Sequence, residues 1–102
     1  MNSDLSYSLE TPDWNASTSV STIELWLVQS IALLLDVPPT TVDVTARFVE
    51  LGLDSVMALS VAGELELASG LCFTTSLLTN HDNPRALALF VVQQLEREGT
   101  QV

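Results

Sequence analysis

Basic residues are scarce in this chain. Only 3 Lys and Arg residues stand against 13 Asp and Glu residues, which gives a formal net charge of −10. Nucleic acids and anionic membrane surfaces attract proteins mainly through Lys and Arg. We therefore expect no nucleic-acid partner and no membrane partner, and the acidic field favours proteins that present basic patches.

Cysteine and long apolar runs are scarce as well. Cys72 is the single cysteine, so a disulfide within the chain is excluded, and a reducing, intracellular setting is consistent with this. No run of 18 apolar residues is present, and the N-terminus lacks the basic start and apolar block of a signal peptide. We therefore expect a cytoplasmic protein or an excised piece of one.

The length of 102 residues suits one small domain with a modest core and no deep cleft. Residues 1–18 are rich in Ser, Thr, Asn and Asp and show no period, which predicts a flexible linker that is dispensable for folding. Trp14 lies in this linker, where an exposed ring is the expectation and packing on the domain is the alternative. The domain is expected over residues 19–98, with a tail over residues 99–102.

Apolar spacing predicts an all-α domain of four helices with a long first loop and a short third helix. The expected spans are about 22–36, 55–68, a short helix through 76–78 capped by Thr74 or Thr75, and 84–97. Ser21 and Glu24 match a capping box at the start of the first predicted helix. Leu25, Val28 and Leu33 widen the apolar stripe of that helix, which predicts burial on more than one side. The loop over 37–54 is long for so small a domain, and such loops are often functional.

The stretch from Phe48 to Leu59 contains the most informative pattern. Gly52 allows a sharp turn, and Asp54 is a favoured N-cap for the helix that follows. Ser55 would then lie on the first turn, at the partly positive end of the helix dipole, where a hydroxyl is well placed to carry an anionic ester. The local pattern alone also fits an ordinary helix start.

Phe48 followed by Leu51-Gly52-Leu53-Asp54-Ser55-Val56 resembles the attachment motif of acyl carrier proteins, Phe-x-x-Leu-Gly-x-Asp-Ser-Leu. Val56 stands where leucine is usual and is still apolar. The resemblance implies a four-helix bundle with covalent 4′-phosphopantetheine from coenzyme A on Ser55. It also implies that Asp54, Leu53 and Val56 belong to the cofactor-binding region. Leu53-Asp54 favours the acyl type, with a peptidyl carrier or a stand-alone fatty-acid-type carrier as alternatives.

The second half of the chain refines the resemblance. The segments 61–65, 75–78 and 81–84 resemble carrier domains of fungal iterative, non-reducing polyketide synthases, although His81 and Asp82 depart from the usual order. The implied partners are a phosphopantetheinyl transferase and the ketosynthase, acyltransferase, product-template and thioesterase-type domains of the same synthase. The isolated domain is expected to be a monomer.

The start of the second long helix is also the predicted docking surface. A partner that acts on a group at Ser55 must approach this end of the helix, and Val56, Met57 and Leu59 lie within about one turn of it. We therefore predict an apolar docking surface formed by these three residues. The alternative is that Met57 and Leu59 belong to the edge of the core.

Two other classes of function have less support in the sequence. A hydrolase would need Ser55, His81 and Asp82, but the sequence around Ser55 is not Gly-x-Ser-x-Gly and no strand precedes it. No glycine-rich phosphate loop and no metal-ligand cluster is present. We therefore expect no catalytic residue and no metal site. The remaining alternative is a helical adaptor without a prosthetic group, which phosphopantetheinylation distinguishes from a carrier.

Overall fold

The protein is a helical bundle. A computed structural model describes residues 14–73 and 76–100, with side chains through residue 98. Its helices are α1 (Val20–Leu35), α2 (Phe48–Leu51), α3 (Ser55–Ser69), α4 (Leu77–Asn80) and α5 (Pro84–Thr100), with a 3-10 turn over Pro39–Thr41. The predicted all-α class is confirmed, with three long helices and a short one before the last. The additional helix α2, inside the long loop, was not predicted.

The core lies between the three long helices. It contains Ile23, Leu27 and Ile31 of α1, Val61 and Leu65 of α3, and Leu87, Ala88, Val91, Val92 and Leu95 of α5. Phe48 and Leu53 from the loop and Leu77 from α4 complete the same cluster. Burial of these apolar side chains is the main contribution to folding free energy in a domain of this size.

The first helix begins earlier than the capping pattern predicted. Ser19, not Ser21, is the N-cap, and its side chain accepts a hydrogen bond from the Thr22 backbone N–H at 3.2 Å. The Glu24 carboxylate is engaged elsewhere, because its Oε2 atom lies 2.7 Å from Nε of Arg85 at the start of α5. The predicted box of Ser21 and Glu24 was therefore wrong, since a tertiary ion pair uses the acidic side chain.

The first helix is also buried on fewer sides than its wide apolar stripe predicted. Leu25 is 57% exposed and Leu33 is 83% exposed. The prediction that these residues widen a buried stripe was wrong. Among the described residues, three long helices form the bundle and no second layer covers the outer side of α1.

The long loop is fixed to the start of α5. The Phe48 N–H donates to the Asp82 carbonyl at 2.8 Å, and the Arg85 N–H donates to the Val44 carbonyl at 3.0 Å. Phe48 is buried, and Val42 packs against the core. The loop therefore delivers the residues before α3 in a defined position.

The last helix begins where the sequence predicted and ends later. The Asn83 side chain accepts from the Ala86 N–H at 2.7 Å, and Pro84 is the first helical residue. The helix continues to Thr100, beyond the predicted end at Arg97. The predicted caps Thr74 and Thr75, the first 13 residues of the linker and the last two residues of the tail lie outside the described residues.

Candidate functional site

A short helix, anchored by one buried side chain, leads the chain to the start of α3. Phe48 is 5% exposed, and α2 ends at Gly52, whose φ of 102° favours glycine. The Gly52 N–H donates to the Phe48 and Val49 carbonyls, and the Leu53 N–H donates to the Phe48 carbonyl at 3.1 Å. Leu53 is 5% exposed. It therefore anchors the loop from the inside and leaves the next residues at the surface.

Asp54 is the N-cap of α3, as predicted. Its Oδ1 atom accepts from the Met57 N–H at 2.9 Å, and its carbonyl accepts from the Ala58 N–H at 2.9 Å. The Met57 amide is one of the first-turn donors that have no partner within the helix. Ser55 is the first helical residue and is exposed. Its hydroxyl group is therefore carried at the solvent-facing, partly positive end of the helix.

The surroundings of Ser55 do not form a hydrolytic triad in the described residues. No hydrogen bond engages the Ser55 side chain within residues 14–73 and 76–100. The His81 ring is stacked on Phe90, with ring centroids 4.2 Å apart and planes at 23°. A nucleophilic serine needs a base within hydrogen-bond reach, and the imidazole is not bonded to Ser55.

A groove of about 460 Å³ extends from Ser55 along α3. Ala58, Ala62 and Gly63 leave little side-chain bulk on the α3 side of the groove, and Leu77, Leu78 and Phe73 are among its other lining residues. Glu66 also lines the groove, and about 16 Å of helix separate it from Ser55. The exposed serine thus lies beside an open groove that is lined by both apolar and polar residues.

The residues after Ser55 differ in exposure. Val56 is 75% exposed and Leu59 is 64% exposed, so the alternative that Leu59 belongs to the core is wrong. Met57 is partly buried and packs against the core cluster. The structure therefore presents two of the three predicted docking side chains to solvent, and the docking role of all three stays a prediction.

Sequence reasoning missed two features near the site. Val49, on α2, is 69% exposed. The Glu66 carboxylate accepts a hydrogen bond from the Phe73 backbone N–H at 2.8 Å, across the end of α3. The only signal for this bond in the sequence was an acidic residue on a partly apolar helix face, close to the glycine that ends the helix.

Two carboxyl groups of the loop have lowered pKa values. Hydrogen bonds from the Thr45 hydroxyl and backbone N–H lower the pKa of Asp43 below its ordinary value of 3.8. A hydrogen bond from the Arg47 backbone N–H lowers the pKa of Glu50 below its ordinary value of 4.5. Both groups precede the site in sequence, and the lowered pKa values matter only in acid, because both carboxyl groups are charged at neutral pH without these bonds.

The described part of the chain offers no group of three or more His, Cys, Asp or Glu residues placed to hold a metal ion. Over the same residues, each helix is too short or too polar to cross a membrane.

Comparison with known proteins places this geometry in a family. The family model of the phosphopantetheine attachment site matches residues 25–91, a span that includes Ser55 and the groove. One component of the phenolphthiocerol/phthiocerol polyketide synthase of Mycobacterium tuberculosis is 34% identical over 92 residues, which cover 87% of this chain and 5% of that protein. The phenolphthiocerol synthesis polyketide synthase type I Pks15/1 of Mycobacterium marinum is 31% identical over 80 residues, which cover 78% and 4% respectively.

Solved structures have the same fold. A free-standing peptidyl carrier protein of Acinetobacter baumannii has a TM-score of 0.72 at 32% identity, covering 76% of this chain and 96% of that one. The HMG-ACPI domain of the CurA module of Lyngbya majuscula has a TM-score of 0.74 at 24% identity, covering 88% and 90%.

The family match covers more than half of the chain, and the fold agrees with it. This chain therefore belongs to the phosphopantetheine-binding carrier domains, which are not catalytic by themselves and carry a covalent 4′-phosphopantetheine group.

Proposed function

We propose that this chain is an acyl carrier domain of a polyketide synthase and that Ser55 is its attachment residue. The observation that carries the proposal is the position of the Ser55 hydroxyl, exposed on the first turn of α3 directly after the Asp54 cap. A separate transferase can reach a hydroxyl at this position without unfolding the domain. The match to polyketide synthases supports the synthase context.

The residues around Ser55 fit the group. A phosphate ester on Ser55 would lie at the N-terminal end of α3, where the helix dipole and first-turn amides favour negative charge. The adjoining groove of about 460 Å³ offers apolar surface beside it. When attached, the group supplies a terminal thiol that holds an acyl chain as a thioester.

Each site residue has a defined part in the proposal. A phosphopantetheinyl transferase esterifies the Ser55 hydroxyl with coenzyme A as the donor. Asp54 is exposed and caps α3 through Oδ1, so it holds the serine in place. The resemblance to acyl carrier proteins implies that it also contributes to transferase recognition and the magnesium-dependent transfer. Leu53 fixes the loop from the core, and Val56 extends the surface next to the serine.

The function that follows is positioning. A chain tethered to Ser55 is presented to the ketosynthase, acyltransferase, product-template and thioesterase-type domains of one synthase at a high effective concentration. Exposed Val56 and Leu59, with partly buried Met57, form the docking surface. The net charge of −10 favours encounters with basic partner surfaces. The chain covers only 5% of its mycobacterial relative, so these partners are inferred for a longer protein, which we expect in the cytoplasm.

A peptidyl carrier is the second candidate, because one similar structure at 32% identity is a peptidyl carrier protein. Loading experiments separate the two. The 4′-phosphopantetheine group is called the arm from here on. The chain with its arm attached is offered malonyl-coenzyme A with a polyketide acyltransferase, and separately an amino acid and ATP with an adenylation domain. We expect a mass increase from the malonyl group. Loading with the amino acid alone would instead identify a peptidyl carrier.

The finer subtype, a fungal non-reducing synthase, rests on the resemblance of segments 61–65, 75–78 and 81–84 and stays a prediction. Both polyketide synthase relatives described above are mycobacterial. The order of domains in the full-length protein tests the subtype, because a product-template domain upstream of the carrier is the feature that it requires.

A further inference from the structure

The end of α3 is tied back onto itself by Glu66. The Glu66 carbonyl accepts from the Gly70 N–H at 2.9 Å, and its carboxylate accepts from the Phe73 N–H at 2.8 Å. The Leu71 N–H between them donates to the Ser69 hydroxyl at 3.2 Å. Residues 70–73, which we name the strap, are therefore fixed to the last turn of α3 at three amides.

Phe73 is held at its side chain as well as at its amide. Its ring lies against Phe90 of α5, with centroids 6.1 Å apart and planes at 52°. Phe73 is partly buried and lines the groove together with Glu66 and Leu78. Because the amide and the ring are both fixed, the Phe73 side chain has a defined place in the wall of the groove.

The hydrogen bond from the Phe73 N–H explains why the charged Glu66 side chain lies at a partly buried position. This side chain is partly buried and lines a groove whose other walls include Leu77 and Leu78. Desolvating a carboxylate costs free energy unless hydrogen bonds compensate, and the Phe73 N–H provides one. Hydrogen bonds to charged groups are stronger than those between neutral groups. The bond from the Phe73 N–H to Glu66, which we name the tie, is therefore well suited to hold the strap against the end of α3.

We propose that Glu66 is a positioning residue that fixes the end of the groove far from Ser55. It thereby limits how much of a chain carried on Ser55 can lie in the groove. The proposal rests on the proposed function for its cargo, but the tie itself is a property of the chain without any attached group. Glu66 lies about 16 Å along α3 from Ser55, and this length of helix defines the accessible part of the groove.

The tie is tested first by hydrogen exchange of the Phe73 amide in the chain without an arm. Glu66→Met removes the acceptor and keeps the length of the side chain, so exchange should be at least about tenfold faster. Glu66→Gln keeps an acceptor oxygen but loses the charge, so its exchange should be faster than in the wild type and slower than in Glu66→Met. Glu64→Met removes an exposed carboxylate from the same helix and should have no effect. Wild-type exchange in Glu66→Met, or exchange in Glu66→Gln as fast as in Glu66→Met, would overturn the tie.

The limit on length is tested with the arm attached. Straight acyl chains from acetyl to octanoyl, amide-linked to the arm, are loaded onto each variant, and methyl chemical shifts of Leu77 and Leu78 are recorded. In the wild type and Glu66→Gln, we expect the shifts to stop changing at a shorter chain than in Glu66→Met. The same length dependence in all three proteins would contradict the proposal. Intact mass reports separately whether Ser55 accepts the arm, so failure of the proposed function is seen independently of the exchange result.

Discussion

Trp14 lies edge-on against Trp26, with ring centroids 5.5 Å apart and ring planes at 80°. Both rings are partly buried and pack against the core cluster. The residues between Trp14 and α1 are also organised, because the Asn15 N–H donates to the Thr18 hydroxyl at 2.8 Å and the Ser17 N–H donates to Asn15 Oδ1 at 2.7 Å. The expectation of an exposed Trp14 ring was therefore wrong, because contacts of the domain reach into the segment that composition assigns to a linker.

The tryptophan pair predicts a loss of stability on truncation of the first ring. Trp14→Ala should lower the free energy of unfolding by about 1–2 kcal/mol, because it removes an aromatic pair and partly buried apolar area. Urea unfolding followed by circular dichroism measures the change. Leu25→Ala is the control, since Leu25 is 57% exposed, and it should change stability by at most about 0.5 kcal/mol. An unchanged midpoint for Trp14→Ala would support the dispensable linker instead.

Two glycines should respond to alanine in opposite directions. Gly70 has a φ of 73°, which L-residues rarely adopt, so Gly70→Ala should destabilise the domain by about 1 kcal/mol. Gly63 lies inside α3 with no atom within 4 Å of an added Cβ, so Gly63→Ala should stabilise it by about 0.5–1 kcal/mol. Thermal unfolding of both variants checks this pair, and a shift of the same sign in both would contradict the backbone account.

The Asp43 hydrogen bonds predict a dependence of stability on acid. Its pKa is lowered in the folded state, so its contribution is fully present above the ordinary value of 3.8 and is lost as the pH falls through the lower folded value. Asp43→Asn keeps the oxygen that Thr45 bonds but cannot titrate. Melting temperature should therefore fall less steeply below about pH 4 in Asp43→Asn than in the wild type. Parallel curves for the two proteins would exclude this contribution.

Much of this fold and of the candidate site follows from local chemistry in the sequence. Apolar periodicity predicted the three long helices, and the glycine bend with the Asp54 cap predicted the start of α3. These features depend on bonds between neighbours, such as the one from the Met57 N–H to Asp54 Oδ1 at 2.9 Å. Local rules of this kind apply before any tertiary contact is known.

The features that were missed depend on contacts between distant residues. Glu24 was assigned to a cap, but its carboxylate instead pairs with Arg85, which is 61 residues away in the sequence. The distance between Arg85 Nε and Glu24 Oε2 is 2.7 Å. Leu33 was counted toward a buried stripe, yet it is 83% exposed because no element in the described part of the chain covers it. A hydrophobic pattern shows which residues can be buried, whereas the number of packing layers decides which of them are.

The proposed docking surface predicts a separation between folding and loading. Leu59 is 64% exposed, so Leu59→Glu should fold normally and slow acyl loading or extension by a partner domain. Met57→Glu should also slow these steps, and since Met57 packs against the core, it should lose some stability as well. Raising salt should weaken docking only modestly, because apolar contacts are screened much less than exposed charge pairs. Circular dichroism and loading rates check both variants. A folded Leu59→Glu protein that is loaded at the wild-type rate would show that Leu59 is not part of the docking surface.

The attachment of the prosthetic group to Ser55 is tested most directly by intact mass. Wild type and Ser55→Ala are incubated with coenzyme A and a broad-specificity phosphopantetheinyl transferase, after circular dichroism has shown that both are folded. Loss of this hydroxyl should cost at most about 1 kcal/mol, because the Asp54 cap remains. We predict that the wild type gains the mass of one phosphopantetheine group and that Ser55→Ala gains none. An equal gain in Ser55→Ala would place the attachment on another residue and contradict the account.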